Sequence, residues 1–199
     1  MRSIVTVLLA GSLVGTAVAQ EIVEPRSGVR FAPKMGPTSL LGMGVRSKMM
    51  GRVKVYAAGL YVADSALAGP LAAYKGQANS PAFYQALVSG DFEKAMVLKF
   101  VRDVSTDQVR DAFRDALKGA NAAKVDLLLG YFSDTKNGQE YVFHLTPAGA
   151  LEVKVAGLNK VPIKDKAFAA SVFGIWLGEK PIQDELKKDL IARAGELLK

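Results

Sequence analysis

The chain has 199 residues, with 26 Lys+Arg against 19 Asp+Glu, one His, no Cys and half of its residues apolar. It is long and apolar enough to bury a single core without disulfide staples, and lack of cysteine excludes thiolate nucleophiles, iron–sulfur clusters and disulfides, while one His excludes a multi-histidine centre. Neither a metal nor a cofactor is expected, and the formal charge of +7 is spread with acids beside most bases, a pattern of solvated faces and not of a nucleic-acid surface.

The first segment runs from Met1-Arg2 through an apolar stretch, Ile4 to Val18, to Ala17-Val18-Ala19 ahead of Gln20. A positive start, a short greasy middle and a small-x-small end predict a signal peptide over residues 1–19, a mature chain from Gln20 and a periplasmic or secreted location. The run is shorter than a bilayer span and no later stretch is long enough to be one, so no transmembrane segment is expected after cleavage.

Arg52 to Val62 (RVKVYAAGLYV) is β-branched and aromatic and predicts a central strand, with Tyr61 in the core. Short helices are predicted around Ser65 to Tyr74 and Ala82 to Leu87, and a strand over Met96 to Val101. Ser105 with Gln108 three residues later is a capping box, and Val109, Ala112, Phe113, Ala116 and Leu117 recur at helical spacing up to Gly119. Asp111 and Asp115, interleaved with Arg110 and Arg114, fall on that helix's polar face and read as a salt-bridged surface.

A further helix is predicted from Ala122 to Phe132. Asn137-Gly138 then precedes EYVFHLT, and Pro147-Ala148-Gly149 separates it from LEVKVA, the pattern of consecutive antiparallel strands joined by turns. Asp165 to Leu177 is apolar nearly all round, as a buried helix is. Pro181 opens a last helix whose Ile182, Leu186, Leu190, Ala194 and Leu197 form one stripe. Strands and helices come in blocks, without repeat or linker, which predicts a single α+β domain over residues 20–199 with helices packed on one face of an antiparallel sheet.

No nucleophile elbow, phosphate-cradling glycine loop or HExxH run is present, and Gly42-Met43-Gly44 lacks the rest of a dinucleotide fingerprint. His144 alternates with the apolar face of EYVFHLT and is expected to point to solvent or to a covering helix, with no catalytic partner.

Four stretches, LLGMGVRSKMMGRVKVYAAGLYVADSAL, SGDFEKAMVLKFVRDVSTDQVRDAF, LEVKVAG and FAASVFGIWLGEKPIQDELKKDL, taken in order, resemble the chalcone isomerase-like superfamily. KVYAAGLYV is similar to its non-catalytic, fatty-acid-binding branch. The resemblance implies an open-faced β-sandwich, a large antiparallel sheet covered by helices, with a ligand cleft between them. It also implies that the tyrosine, lysine and asparagine presented by the isomerases' helix become Val109, Ala112 and Ala116 here, and that two threonines become Ile175 and Tyr56. Without those donors, phenolate attack on an enone is neither oriented nor stabilised.

The family's arginine survives as Arg46. A hairpin turning near Gly51 would set Arg46 opposite Tyr56, with Arg52 as the alternative arginine. A guanidinium facing an apolar cleft calls for a carboxylate partner, and a buried chain adds roughly 0.8 kcal/mol per methylene. The expected function is therefore binding of a fatty acid or similar small amphiphile. Arg46 and Tyr56 would take the head of a long-chain carboxylate, while Phe100, Val109, Ala112, Phe113, Ala116, Val172, Ile175 and Trp176 would line the cavity, with Lys99 a further candidate. The rivals are an isomerase acting on an enone or phenol with Arg46 and Tyr56 as oxyanion donors, and a structural envelope protein with a collapsed cavity.

Overall fold

The computed structural model describes residues 20–49 and 51–198; the signal peptide expected over residues 1–19 lies outside the described residues. The described residues begin with a small hairpin, β1 (Ile22–Val23) and β2 (Arg30–Phe31), followed by β3 (Lys34–Met35), β4 (Thr38–Lys48) and β5 (Val53–Ala63). Next come α1 (Asp64–Ala68), a single 3-10 turn (Ala72–Tyr74), α2 (Pro81–Ser89), β6 (Lys94–Phe100), α3 (Thr106–Ala116) and α4 (Ala122–Gly130). β7 (Glu140–Leu145), β8 (Leu151–Val155), β9 (Leu158–Asn159), α5 (Lys166–Leu177), α6 (Asp184–Asp189) and α7 (Ala194–Leu197) complete it. β3 to β9 form one seven-stranded antiparallel meander in sequence order.

The fold is α+β, as expected. Alternate residues of the central strands, Tyr56, Ala58, Leu60 and Val62 on β5 and Met96, Leu98 and Phe100 on β6, meet the helices in one large core. The opposite face carries a smaller core, Leu40, Val45, Ala57, Tyr61, Ala95 and Val97, under Phe31 of the N-terminal hairpin. Tyr61 is buried there and donates to the Ala32 carbonyl at 2.9 Å.

The capping box is present: the Ser105 hydroxyl accepts from Gln108 N at 3.3 Å and Gln108 Oε1 accepts from Ser105 N at 3.2 Å. α5 buries Phe168, Ala169, Val172, Phe173, Ile175, Trp176 and Leu177 in the core, packed against α2 and α6, while the small residues of its other side, Ala170, Ser171 and Gly174, stay partly exposed. Two predicted helices are interrupted. The one expected from Ser65 to Tyr74 ends at Ala68, since Pro70 cannot continue it. The C-terminal one divides into α6 and α7, because at Arg193 the chain turns onto β4, donating from Arg193 N to the Leu41 carbonyl and from its guanidinium to the Leu40 carbonyl, each at 2.9 Å. Leu41 is free to accept because the β4–β5 register shifts between Leu40 and Gly42, leaving it as a bulge.

Gly42 and Gly44 explain how α6 reaches the sheet. A Cβ on Gly42 would lie 2.5 and 2.6 Å from the carbonyl carbon and oxygen of Leu190, and one on Gly44 would lie 2.7 Å from Asp189 Oδ2. With no side chain at these positions the end of α6 rests directly on β4, and the next residue on that face of the strand is Arg46.

Candidate functional site

Arg46 is the direct cross-strand partner of Tyr56, and Tyr56 that of Phe100, so the three side chains share the helix-facing side of the sheet. The β4–β5 register shifts again after Arg46, making Val55 the extra residue of a bulge. Val55 and Tyr56 both face the cleft as a result, and Lys48, opposite Val53, stays on the same side as Arg46.

α3 and α5 close the other wall. The cleft lies between Val53, Val55, Tyr56 and Phe100 of the sheet, Val109, Ala112 and Phe113 of α3, Ile175 and Trp176 of α5, and Ile182. Its free volume is about 110 Å³. That is somewhat below the ~150 Å³ apolar cavity that takes a benzene ring, so a ring or a few methylenes fit, and a longer chain must displace a wall. The inner end is closed by packed aromatics: Phe113 lies 4.7 Å from Phe132, 5.5 Å from Phe143 and 6.1 Å from Trp176, measured between ring centroids.

The polar groups sit at the mouth. Tyr56 is buried, and its hydroxyl accepts from Trp176 Nε1 at 3.0 Å, while its own proton has no acceptor among the described residues. Burial pushes its pKa up to about 12, against smaller lowering effects from the Trp176 hydrogen bond and from the Arg46 charge. At neutral pH it is therefore a phenol with a donor to offer, and not a base. The Arg46 guanidinium donates to the Ser47 carbonyl and, at 3.2 Å, to Gln183 Oε1, an oxygen that also accepts from Ser47 N at 2.9 Å. Gln183, at the start of α6, thus holds the arginine at the rim.

A family model described as chalcone isomerase-like matches residues 34–192. The chain belongs to the chalcone isomerase-like family. Its relatives include a fatty-acid-binding protein of Arabidopsis thaliana, 28% identical over 92% of this chain and 73% of that one, and a chalcone–flavanone isomerase of Zea mays, 28% identical over 82% and 81%. Among solved structures, that of an Arabidopsis thaliana fatty-acid-binding protein superimposes with a TM-score of 0.70, covering 90% of this chain and 99% of that chain at 22% identity. The fold is thus that of the chalcone isomerase-like family, the sheet and helix layer that the sequence resemblance implied.

Within this chalcone isomerase-like fold, Arg46, Tyr56, Phe100, Val109, Ala112, Phe113, Ile175 and Trp176 come together around one cleft, and two expected wall residues do not. Ala116 is exposed, because the buried stripe of α3 runs through Val109, Phe113 and Leu117 and Ala116 lies to its side. Val172 is fully buried in the core one turn before Trp176 and is not among the residues lining the cleft. Lys99 projects from the opposite face, donating to the Arg30 carbonyl at 2.8 Å beside the Phe31 ring. Arg52 is exposed in the hairpin turn.

His144 likewise faces away from the helices, its ring nitrogens 2.9 Å from Glu93 and 3.2 Å from Glu152. On α3, Arg114 pairs with Asp111 as expected, while Arg110 instead donates to the Leu129 carbonyl at 3.0 Å. The sequence reading passed over Lys48 and Arg102, which also line the cleft. The strand period carried the signal: each lies two residues beyond a residue assigned to the cleft, Arg46 and Phe100.

Proposed function

We propose that this chain binds a fatty acid or similar amphiphile with an anionic head, without requiring that the ligand be chemically changed. The head group accepts hydrogen bonds from Arg46 and from the Tyr56 hydroxyl, and the first methylenes lie over Val109, Ala112, Ile175 and Trp176. One observation carries the reading: a guanidinium with no carboxylate partner among the described residues stands beside a neutral buried phenol whose proton is unspent, at the rim of an apolar cleft. The name of the Arabidopsis relative supports it. Because the cleft is short, a long chain enters only by displacing part of the aromatic wall around Phe113, so the complex has a larger cavity than the free protein.

The test is calorimetric titration of octanoate into wild type and Arg46→Ala. Binding that weakens at least about tenfold in the variant is expected, the loss of one charge-assisted contact. Equal affinity, or no binding by wild type, rejects the site, and the latter would leave the structural envelope reading. The isomerase alternative draws on the relatives named chalcone–flavanone isomerase and predicts turnover of a chalcone that collapses in Tyr56→Phe. The leader-like residues 1–19 support export to the periplasm or beyond, and N-terminal sequencing of the purified native protein should then begin at Gln20.

A further inference from the structure

The mouth of the cleft holds more positive charge than a carboxylate needs. Arg46, Lys48 and Arg102 all line it, and no acidic side chain does. Among the described residues none of the three makes an ion pair, and Lys48 and Arg102 make no side-chain hydrogen bond.

Two carboxylates near the cleft are committed elsewhere. Asp103, beside Arg102, accepts from Lys136 Nζ and from Asn137 N, both at 2.9 Å. Glu185, near Arg46 at the outer rim, pairs with Arg26 at 2.8 Å. Several bases elsewhere on the surface pair with acids, as Lys34, Arg114, Lys118, Lys124, Lys136 and Lys166 do. What sets Arg46, Lys48 and Arg102 apart is that all three line one apolar-walled cleft with no acid in its lining, and the Tyr56 proton adds a neutral donor there.

We propose that the head group preferred by this cleft is a dianion of the phosphate monoester class, carried on an apolar tail. The inference rests on the reading that the cleft takes an amphiphile, and it narrows the chemistry of the head. A carboxylate brings one charge and two oxygens, which Arg46 and Tyr56 already satisfy. A phosphate monoester brings close to two charges and three terminal oxygens, enough to engage Arg46 and Tyr56 from within and Lys48 and Arg102 from the rim. Lys48 and Arg102 are both exposed, so they meet the head without first leaving buried partners, and the guanidinium of Arg102 can bind two phosphate oxygens at once.

The experiment is calorimetric titration of octyl phosphate, octanoate and inorganic phosphate into wild type and into the double variant Lys48→Gln/Arg102→Gln, whose exposed substitutions leave the core intact. At about pH 7.5 octyl phosphate should bind wild type at least about tenfold more tightly than octanoate, the worth of one further charge-assisted contact. That advantage should shrink at about pH 5.5, where a phosphate monoester with its second pKa near 6 has lost most of its second charge. It should vanish in the double variant, with octanoate binding much less affected.

Inorganic phosphate should bind at least about tenfold more weakly than octyl phosphate, since it buries no methylenes. Octanoate binding as tightly as octyl phosphate would overturn the dianion inference and leave the amphiphile reading standing. Inorganic phosphate matching octyl phosphate would overturn both, as the tail would then contribute nothing, and so would binding by none of the three.

Discussion

Tyr56→Phe is the most informative single substitution, because one hydroxyl serves both the fold and the site. It keeps the ring, and with it the edge contact to Phe100 at 5.7 Å between centroids, and removes only the acceptor for Trp176 Nε1, 3.0 Å away. Trp176 is buried, so its N–H is left without a partner, at a cost of about 1–3 kcal/mol. The phenol itself is buried with its proton unused, a smaller penalty that phenylalanine escapes, so the net loss should be about 1–2 kcal/mol. In urea denaturation the midpoint should fall with the slope unchanged.

Trp176→Phe in the same background isolates the pair: once the indole N–H is gone, Tyr56→Phe should cost almost nothing, a coupling of the size seen for contacting residues, about 0.5–3 kcal/mol. The hydroxyl also sets an alkaline limb. Its pKa is raised from 10.0 to about 12, so the folded chain holds a proton that the unfolded chain releases, and the stability this contributes is complete below pH 10 and lost as pH rises towards 12. Two units correspond to roughly 2–3 kcal/mol. Tyr61, raised to about 12 mainly by burial, adds a second such loss, so Tyr56→Phe should make the alkaline limb shallower without abolishing it. Full stability in Tyr56→Phe, additivity with Trp176→Phe and an unchanged alkaline limb would together refute the hydrogen bond and the burial on which the site rests.

Three other outcomes follow from the geometry. Gly42→Ala forces α6 off β4, since the new methyl would overlap the backbone at Leu190, and should cost roughly 1–3 kcal/mol in denaturant unfolding; unchanged stability would mean that α6 does not rest on the strand. Gln183→Glu preserves an oxygen for Arg46 and Ser47 N but places a carboxylate on the guanidinium, so octanoate affinity should drop at least about tenfold while the protein stays folded, and equal affinity would show that Arg46 is not the anchor. Lys94, whose ammonium donates to the carbonyls of Leu87, Val88 and Gly90 at the end of α2, has its pKa lowered by burial from 10.5 to about 8, with Asp91 opposing. Between those values the unfolded chain binds the extra proton, so Lys94 should make stability rise with pH from 8 towards 10.5, by up to roughly 3 kcal/mol, and Lys94→Met should remove that rise in a pH series of thermal or urea unfolding.

Much of this was legible wherever local chemistry dictates the outcome. The Ser105–Gln108 box fixes the start of α3 from its own atoms, the two glycine turns separate β7 from its neighbours on each side, and the nearly all-apolar α5 is mostly buried. The Arg46–Tyr56 pairing followed from the hairpin position alone.

What escaped was decided by tertiary contact. The C-terminal stripe looked like one helix because its apolar spacing continues through the break, yet hydrogen bonds from Arg193 to β4, 152 residues or more earlier in the chain, divide it. Ala116 falls on the flank of the Val109–Phe113–Leu117 stripe and is exposed, and an alanine at such a position says nothing about depth. Gly42 and Gly44 carried no recognisable motif because their role is to be absent beneath a helix whose position the sequence does not reveal. The cationic rim was hidden because Lys48, at the end of β4, and Arg102, just past β6, lie far apart in the chain and meet at one cleft only in the fold, where Asp103 beside Arg102 pairs with Lys136.

Trp176 is the only tryptophan in the chain, and its indole lies in the wall of the cleft within hydrogen-bonding distance of Tyr56. Its emission during titration with an anionic amphiphile such as octanoate is therefore the most direct measurement of whether that cleft is where the ligand goes. A saturable spectral change in wild type, displaced to higher concentration in Arg46→Ala, is the predicted result; an emission that stays constant while calorimetry registers binding would place the ligand somewhere else on the molecule and contradict the account.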